Sequence, residues 1–233
     1  MTFDIITLFP DMFTGPFDKS IVKRAQDKNL VKINLHDLRK FAVDERGSVD
    51  DKPYGGGVGM VLRIEPIDRA LHEINNSKLT INNSKIILLD PRGEKFTQQK
   101  AREYSKLDQI TFICGHYEGV DERVKENLVD ETISIGDYVL TGGEIPTMVI
   151  IDAVTRLLPN VLSKEEATQI ESFSSEDVLE YPQYTRPEDY NGWKVPPILL
   201  SGNHSEIKKW RGLNPQNKNY QDEGHEGGDG NVF

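Results

Sequence analysis

Apolar positions in this chain fall into short strand-length runs and longer helical rhythms. Residues 3–8, 86–89 and 110–114 are apolar runs rich in Ile, Leu and Phe, and they read as buried strands. Residues 31–36 alternate apolar and polar, which predicts a strand with one solvated face. Helices are expected over residues 19–28, 65–74 and 97–107, with Thr97 placed to cap the last of these. The strongest helical pattern spans residues 144–158, where Ile145, Met148, Val149, Ile151, Val154, Leu157 and Leu158 recur at helical spacing before Pro159 stops them. Strand, helix, strand with buried strands is the order of a parallel sheet, so the fold class is α/β. Ligands of such sheets sit outside the carboxyl ends of the strands.

Several connections carry their own signals. Residues 37–54 read as a long polar loop that ends in Tyr54-Gly55-Gly56-Gly57-Val58-Gly59-Met60. Four glycines in five positions suit either a flexible turn or backbone amides wrapped around an anion. No lysine and hydroxyl residue follow them, which excludes a P-loop, and the spacing misses the dinucleotide fingerprint. The pentapeptide Ile-Asn-Asn-Ser-Lys occurs at 74–78 and again at 81–85, a solvated connector. Asp90-Pro91-Arg92-Gly93 is expected to end the strand before it. Residues 133–146 begin as a strand, break at Gly136, turn at Gly142-Gly143 and open a helix whose first turn holds Glu144 and Pro146. The backbone of residues 137–140 offers a rim for a flat, partly apolar guest such as an adenine ring. Residues 163–177 are polar and acidic, a linker or lid, and a short helix is expected over 205–211. Beyond Gly212 the composition is that of a disordered tail.

Composition narrows the class without naming a reaction. A chain of 233 residues, 28% charged and 36% apolar, suits one globular domain plus a small second one. No apolar run approaches a membrane span, and the start lacks the basic residues of a secretory signal. The single cysteine, Cys114, excludes an internal disulfide, reads as a buried structural thiol, and points to a reducing, cytoplasmic location. A net charge of −10 argues against a nucleic-acid partner, yet basic residues cluster at Lys19, Lys23 and Arg24, at Arg39 and Lys40, and at Lys208, Lys209 and Arg211. Charge therefore leaves RNA binding open. His36, His72, His116, His204 and His225 lack zinc-site spacing, and no G-x-S-x-G elbow supports hydrolysis.

The decisive stretch beside 133–146 is Gly115-His116-Tyr117-Glu118-Gly119-Val120-Asp121-Glu122-Arg123. Together they resemble the adenosylmethionine-binding core of the bacterial tRNA (guanine-37-N1)-methyltransferases, members of the knotted SPOUT superfamily. The likeness also takes in residues 3–10, 53–60, 181–187 and 200–211. It implies a parallel sheet with a deep trefoil knot over residues 1–160, a linker over 161–180, a small helical tRNA-binding region over 181–212, and a tail over 213–233. S-adenosylmethionine is the implied cofactor, held by three loops, residues 88–93, 115–119 and 133–146. The first supplies Leu88, Leu89, Asp90 and Pro91, and the second Gly115, Tyr117 and Glu118. The third supplies Ser134, Ile135, Gly136, Asp137, Tyr138, Val139, Leu140, Gly142, Gly143 and Pro146. The resemblance places the flipped guanosine and nearby phosphates against Tyr54, Gly55, Gly56, Gly57, Gly59 and Met60, and against Gly202, Asn203 and His204. Arg186 and the helix at 208–211 would grip the tRNA backbone. A homodimer with shared sites is implied as well.

Methyl transfer to N1 of guanine has two chemical needs. The neutral base carries a proton on N1, so a carboxylate must accept it, and a fixed cation should balance charge growing on O6. The resemblance assigns these roles to Glu171, in Glu171-Ser172-Phe173, and to Arg156 near the end of the long helix, where a last-turn arginine also complements the helix dipole. Glu180 and Asp177 are the alternative carboxylates. The chain departs from the family twice. It has Glu171 where the best-known members carry Asp, and its short acidic tail stands where they continue with a basic helical region. A Mg²⁺ requirement is left open. Two other readings are a SPOUT methyltransferase for another RNA position, and a non-catalytic cofactor- or RNA-binding protein.

Overall fold

A computed structural model describes residues 1–76, 83–163, 171–174 and 179–212. The chain divides into two units, Met1–Ser163 and Lys164–Phe233. Along the first run β1 (Thr2–Thr7), α1 (Ser20–Asp27), β2 (Lys32–Asp37), β3 (Asp50–Asp51), β4 (Val61–Leu62) and α2 (Ile64–Asn76). They are followed by β5 (Ser84–Lys95), α3 (Gln98–Tyr104), β6 (Gln109–Cys114), α4 (Glu122–Asn127), β7 (Glu131–Ser134) and α5 (Glu144–Thr155). Five strands form one sheet in the order β2-β1-β6-β5-β7, and every neighbouring pair is parallel.

All six residues of β6, at the centre, are buried, because both faces of the sheet are covered. Phe3, Ile5, Ile87 and Phe112 face one core, which takes in Ala101 and Tyr104 of α3 and Ile150, Ile151 and Val154 of α5. Ile6, Leu88 and Ile113 face the other, against Ile67, Ala70, Leu71 and Ile74 of α2 and Val124 of α4. Each such side chain contributes about 1.5–3 kcal/mol on burial, and the strand period of two divides them between the faces.

Several expectations change. The strand expected to end at Asp90 runs on to Lys95, because residues 90–93 form a bulge inside it. Leu89 and Glu94 both stand opposite Ile133, and Lys95 pairs with Ser134. Gly93 permits this: a β-carbon there would lie 2.6 Å from backbone atoms of Thr132 and Ile133. The loop expected over 37–54 contains a 3₁₀ turn, Leu38–Phe41, and β3, which pairs antiparallel with β4 and closes the glycine stretch into a hairpin. The polar face of β2 is not simply solvated. Asn34 Nδ2 and His36 Nε2 both lie 2.9 Å from Oδ1 of Asp4, a fully buried carboxylate that also accepts from Gln109 Nε2 at 2.8 Å. Helices α3 and α5 each stop three residues short of the expected end. Thr97 does cap α3, accepting from the Lys100 amide at 3.2 Å.

The second unit contains a hairpin of β8 (Asp189–Tyr190) and β9 (Trp193–Lys194), then α6 (Pro197–Leu200) and α7 (His204–Gly212). None of its described residues is buried. The tail after Gly212, most of the linker, the alternative base Asp177 and the middle of the repeated pentapeptides lie outside the described residues.

Candidate active site

The carboxyl ends of β5, β6 and β7 meet around a cleft of about 410 Å³. The bulge of β5 supplies Leu88, Leu89, Asp90, Pro91 and Arg92. Asp90 accepts from the Arg92 amide at 2.8 Å and from its guanidinium at 3.0 and 2.9 Å. Those hydrogen bonds hold the Asp90 carboxyl below the usual carboxylate range, against the opposing effect of burial, and raise the Arg92 guanidinium in turn.

The turn after β6 supplies residues 115–120. Tyr117 sits in the left-handed region at φ 58°, and the Gly119 amide closes the turn on the His116 carbonyl at 3.0 Å. The His116 ring lies between Phe9, 4.9 Å away, and Tyr117, 5.5 Å away. The glycine hairpin is bonded to this turn. The Glu118 amide donates to Met60 at 3.1 Å and the Leu62 amide to Gly119 at 3.0 Å, and Gly59 leaves room for the Glu118 side chain.

The segment from β7 to α5 supplies residues 133–136, 138–143 and 146. Ser134 Oγ donates to the Gly136 carbonyl at 3.0 Å and the Tyr138 hydroxyl to the Ile135 carbonyl at 3.2 Å, which folds the segment around the cleft. Tyr138, Val139 and Leu140 leave apolar surface exposed at its rim. Gly143 donates to the Gly115 carbonyl at 2.8 Å, and its missing β-carbon would stand 2.7 Å from Cα of Cys114. Cys114 itself is buried, 3.3 Å from the Thr147 hydroxyl. Burial, then the charge of Glu144, push its thiol up, while the Thr147 hydrogen bond pulls the other way, so the sulfur stays protonated at neutral pH.

Of the residues expected around a cofactor, Asp137 alone does not line the cleft; it turns outward and pairs with Lys95. Arg92, His116, Gly119, Ile133 and Thr141 also line it, inside the three expected loops, and Val120 lines it one residue beyond the second loop. The glycine hairpin holds Tyr54 fully exposed, with φ between 81° and 134° at Gly55, Gly56, Gly57 and Gly59. Arg156 is the C-cap of α5, its amide donating to the Asp152 carbonyl at 3.3 Å. Glu144, expected as a helix-start acid, is instead buried and accepts from Thr7 Oγ1 at 2.7 Å.

The remaining expected residues belong to the second unit. The carbonyl of Glu171 accepts from the Ser174 amide at 3.0 Å, and the Glu180 side chain accepts from Gln183 at 2.6 Å. Gly202 and Asn203 lead into α7, which begins at His204. Arg186 lines a second cleft of about 410 Å³ with Tyr181, Tyr184, Trp210 and Arg211, where the Arg211 guanidinium lies 4.7 Å from the Tyr181 ring. Among the described residues, no helix is long and apolar enough to cross a membrane.

The chain is similar to several bacterial proteins named tRNA (guanine-N(1)-)-methyltransferase. One from Carboxydothermus hydrogenoformans is 55% identical over 211 residues, covering 91% of this chain and 81% of the relative. One from Dictyoglomus turgidum is 55% identical over 208 residues, 89% of this chain and 82% of the relative. One from Bacillus cereus is 52% identical over 211 residues, 91% and 85%. A family model described as tRNA (Guanine-1)-methyltransferase TrmD matches residues 1–223, and the chain belongs to that family.

Proposed function

We propose that this protein transfers a methyl group from S-adenosylmethionine to N1 of guanosine-37 in tRNA. The observation that carries this reading is the bonding of the glycine hairpin to the edge of the cleft, through Met60–Glu118 and Leu62–Gly119. It puts a candidate nucleotide-binding loop directly beside a candidate cofactor cup.

The cleft fits an adenosyl cofactor. Its volume of about 410 Å³ is within the range of small-molecule sites. The turn at residues 134–136 spends its hydrogen bonds locally, which holds the following backbone in a fixed rim, and Tyr138, Val139 and Leu140 offer apolar surface for a flat ring. When bound, the cofactor supplies an electrophilic methyl group on a sulfonium. The chain's own work is to hold, orient and deprotonate. Glu171 accepts the N1 proton of guanine, and the extra methylene relative to aspartate extends its reach from the linker. Arg156 balances the negative charge that grows on O6. Residues 54–60 hold the extruded base, with Gly202, Asn203 and His204, while Arg186, Lys208 and Arg211 pair with phosphates.

The same reading includes a trefoil knot. Supporting it, the turn before α5 is packed backbone on backbone against the turn after β6, through Gly143–Gly115 and the His116–Gly142 bridge. It also includes a homodimer. On α5, Ile145 and Val149 stand one turn apart and remain 46% and 44% exposed, an apolar pair suited to a second copy.

Incubating the purified protein with labelled S-adenosylmethionine and a tRNA transcript carrying guanosines at 36 and 37 should yield 1-methylguanosine at position 37. Product at another position supports the reading of a SPOUT enzyme with a different RNA target, and cofactor binding without product supports the non-catalytic one. Glu171→Gln should cut turnover at least 100-fold, the low end for a lost general base, with cofactor affinity unchanged. Undiminished turnover in that variant moves the base to Glu180 or Asp177.

A further inference from the structure

Glu144 is a buried carboxyl side chain that follows the cleft-lining Gly143 and is only half satisfied. It is 1% exposed, its Oε1 accepts from Thr7 Oγ1 at 2.7 Å, and its Oε2 has no hydrogen-bond partner. A buried carboxylate with an unsatisfied oxygen is costly unless a positive group compensates it. The space above Gly142 identifies that group. A β-carbon on Gly142 would collide with Glu144 Oε2, and the same point lies 2.6 Å from Cδ2 and 2.9 Å from Nε2 of His116. The carboxylate and the imidazole edge therefore flank one small gap, with no direct hydrogen bond or ion pair across it. The His116 ring also meets Phe9 and Tyr117, with ring centroids 4.9 and 5.5 Å away.

We propose that Glu144 and His116 form a charge pair that clamps the turn after β6 onto the start of α5, acting as positioning residues for the cofactor cup. The pair explains why residue 142 has no side chain: any β-carbon would enter the gap between the two partners. It also gives Glu144 a purpose beyond starting a helix. The effect on the cofactor rests on the function proposed above; the pair itself does not.

A double-mutant cycle tests it, using His116→Gln, His116→Arg, Glu144→Gln and the double variant Glu144→Gln/His116→Gln. Two quantities are read: S-adenosylmethionine affinity by calorimetry, and the urea midpoint of the ligand-free protein. In the presence of Glu144, His116→Gln should weaken cofactor binding about tenfold, equal to about 1.4 kcal/mol, and lower the urea midpoint. His116→Arg should restore both. In the Glu144→Gln background, His116→Gln should cost less than threefold in affinity and leave the midpoint unmoved. Equal losses in both backgrounds, or no rescue by arginine, would overturn the pair. If the wild-type protein binds no S-adenosylmethionine, the cofactor reading fails, while the urea cycle still decides whether the pair exists.

Discussion

Two glycine-rich segments flank the cleft, and they use the same residue for opposite reasons. In the hairpin, Gly55 and Gly56 have φ of 84° and 81° with nothing within 4 Å of where a β-carbon would stand. Glycine is needed there for backbone shape, and space is free. At the turn before α5, Gly143 has φ −82° and ψ −4°, a conformation open to any residue. What it lacks is room, because Cα of Cys114 and the amide of Gly115 lie 2.7 and 3.0 Å from its absent β-carbon. At Gly55 and Gly56 the hairpin is thus permissive, its glycines serving shape, although Gly59 is hemmed in by the Glu118 side chain, while the turn is wedged between backbone neighbours. A wedged wall suits a cofactor that must be held in one pose. A permissive flap suits a substrate that must enter and leave.

The contrast breaks most sharply at Gly143. Gly143→Ala forces a methyl group into backbone atoms that cannot rotate away, an overpacking cost of about 1–3 kcal/mol. The first unit should lose that stability in denaturant titrations, and cofactor affinity should fall at least tenfold, since the Gly143–Gly115 hydrogen bond is part of the wall. An alanine tolerated without change in either measurement would mean that the turn is not wedged.

The opposite behaviour is expected at Gly56. Gly56→Ala meets no neighbour, so its only cost is the left-handed backbone, about 1 kcal/mol. The denaturation midpoint should fall by no more than that backbone cost, less than in Gly143→Ala, and cofactor affinity should stay within error of wild type. The KM for tRNA should rise a few-fold, measured as initial rates over a range of transcript concentrations. A drop in cofactor affinity as large as that of Gly143→Ala would erase the distinction between the two segments.

Much of this arrangement was legible before any coordinates. The buried strands 3–8, 86–89 and 110–114 announced a parallel sheet, and the turn at Gly142-Gly143 was visible as a strand-to-helix break. What stayed hidden were features set by contacts distant in sequence. Asp90-Pro91-Arg92-Gly93 has the local chemistry of a strand end, yet pairing with β7 carries the strand through it as a bulge. Asn34 and His36 occupy the polar side of an alternating strand, which periodicity assigns to solvent. Only the burial of Asp4 on the adjacent strand turns them inward. Glu144 has the composition of a first-turn acid at a helix start. Its burial follows from Thr7, 137 residues earlier, a partner that no local pattern reveals. Function was legible for a different reason, because the motifs at 115–123 and 133–146 occur in a fixed order that composition alone would never suggest.

The smallest expected effect lies in another wall of the cleft, the bulge of β5, at Asp90. The hydrogen bonds from Arg92 favour the ionised carboxyl in the folded protein, so its pKa falls below the value of about 3.9 expected for an unfolded aspartate. The unfolded chain then binds a proton more readily than the folded one, and acid favours unfolding. The stabilisation is complete above about pH 4 and is lost as the pH drops through the lower, folded value. Because the Arg92 side chain is 58% exposed, solvent screens the pair, and the contribution should be under about 1 kcal/mol. Urea midpoints measured from pH 6 down to pH 3 should therefore fall less steeply in Asp90→Asn than in the wild type. If the two slopes coincide, the Asp90–Arg92 contact adds nothing to the bulge, and the rigidity of that wall rests on Gly93 and the backbone pairing to β7 alone.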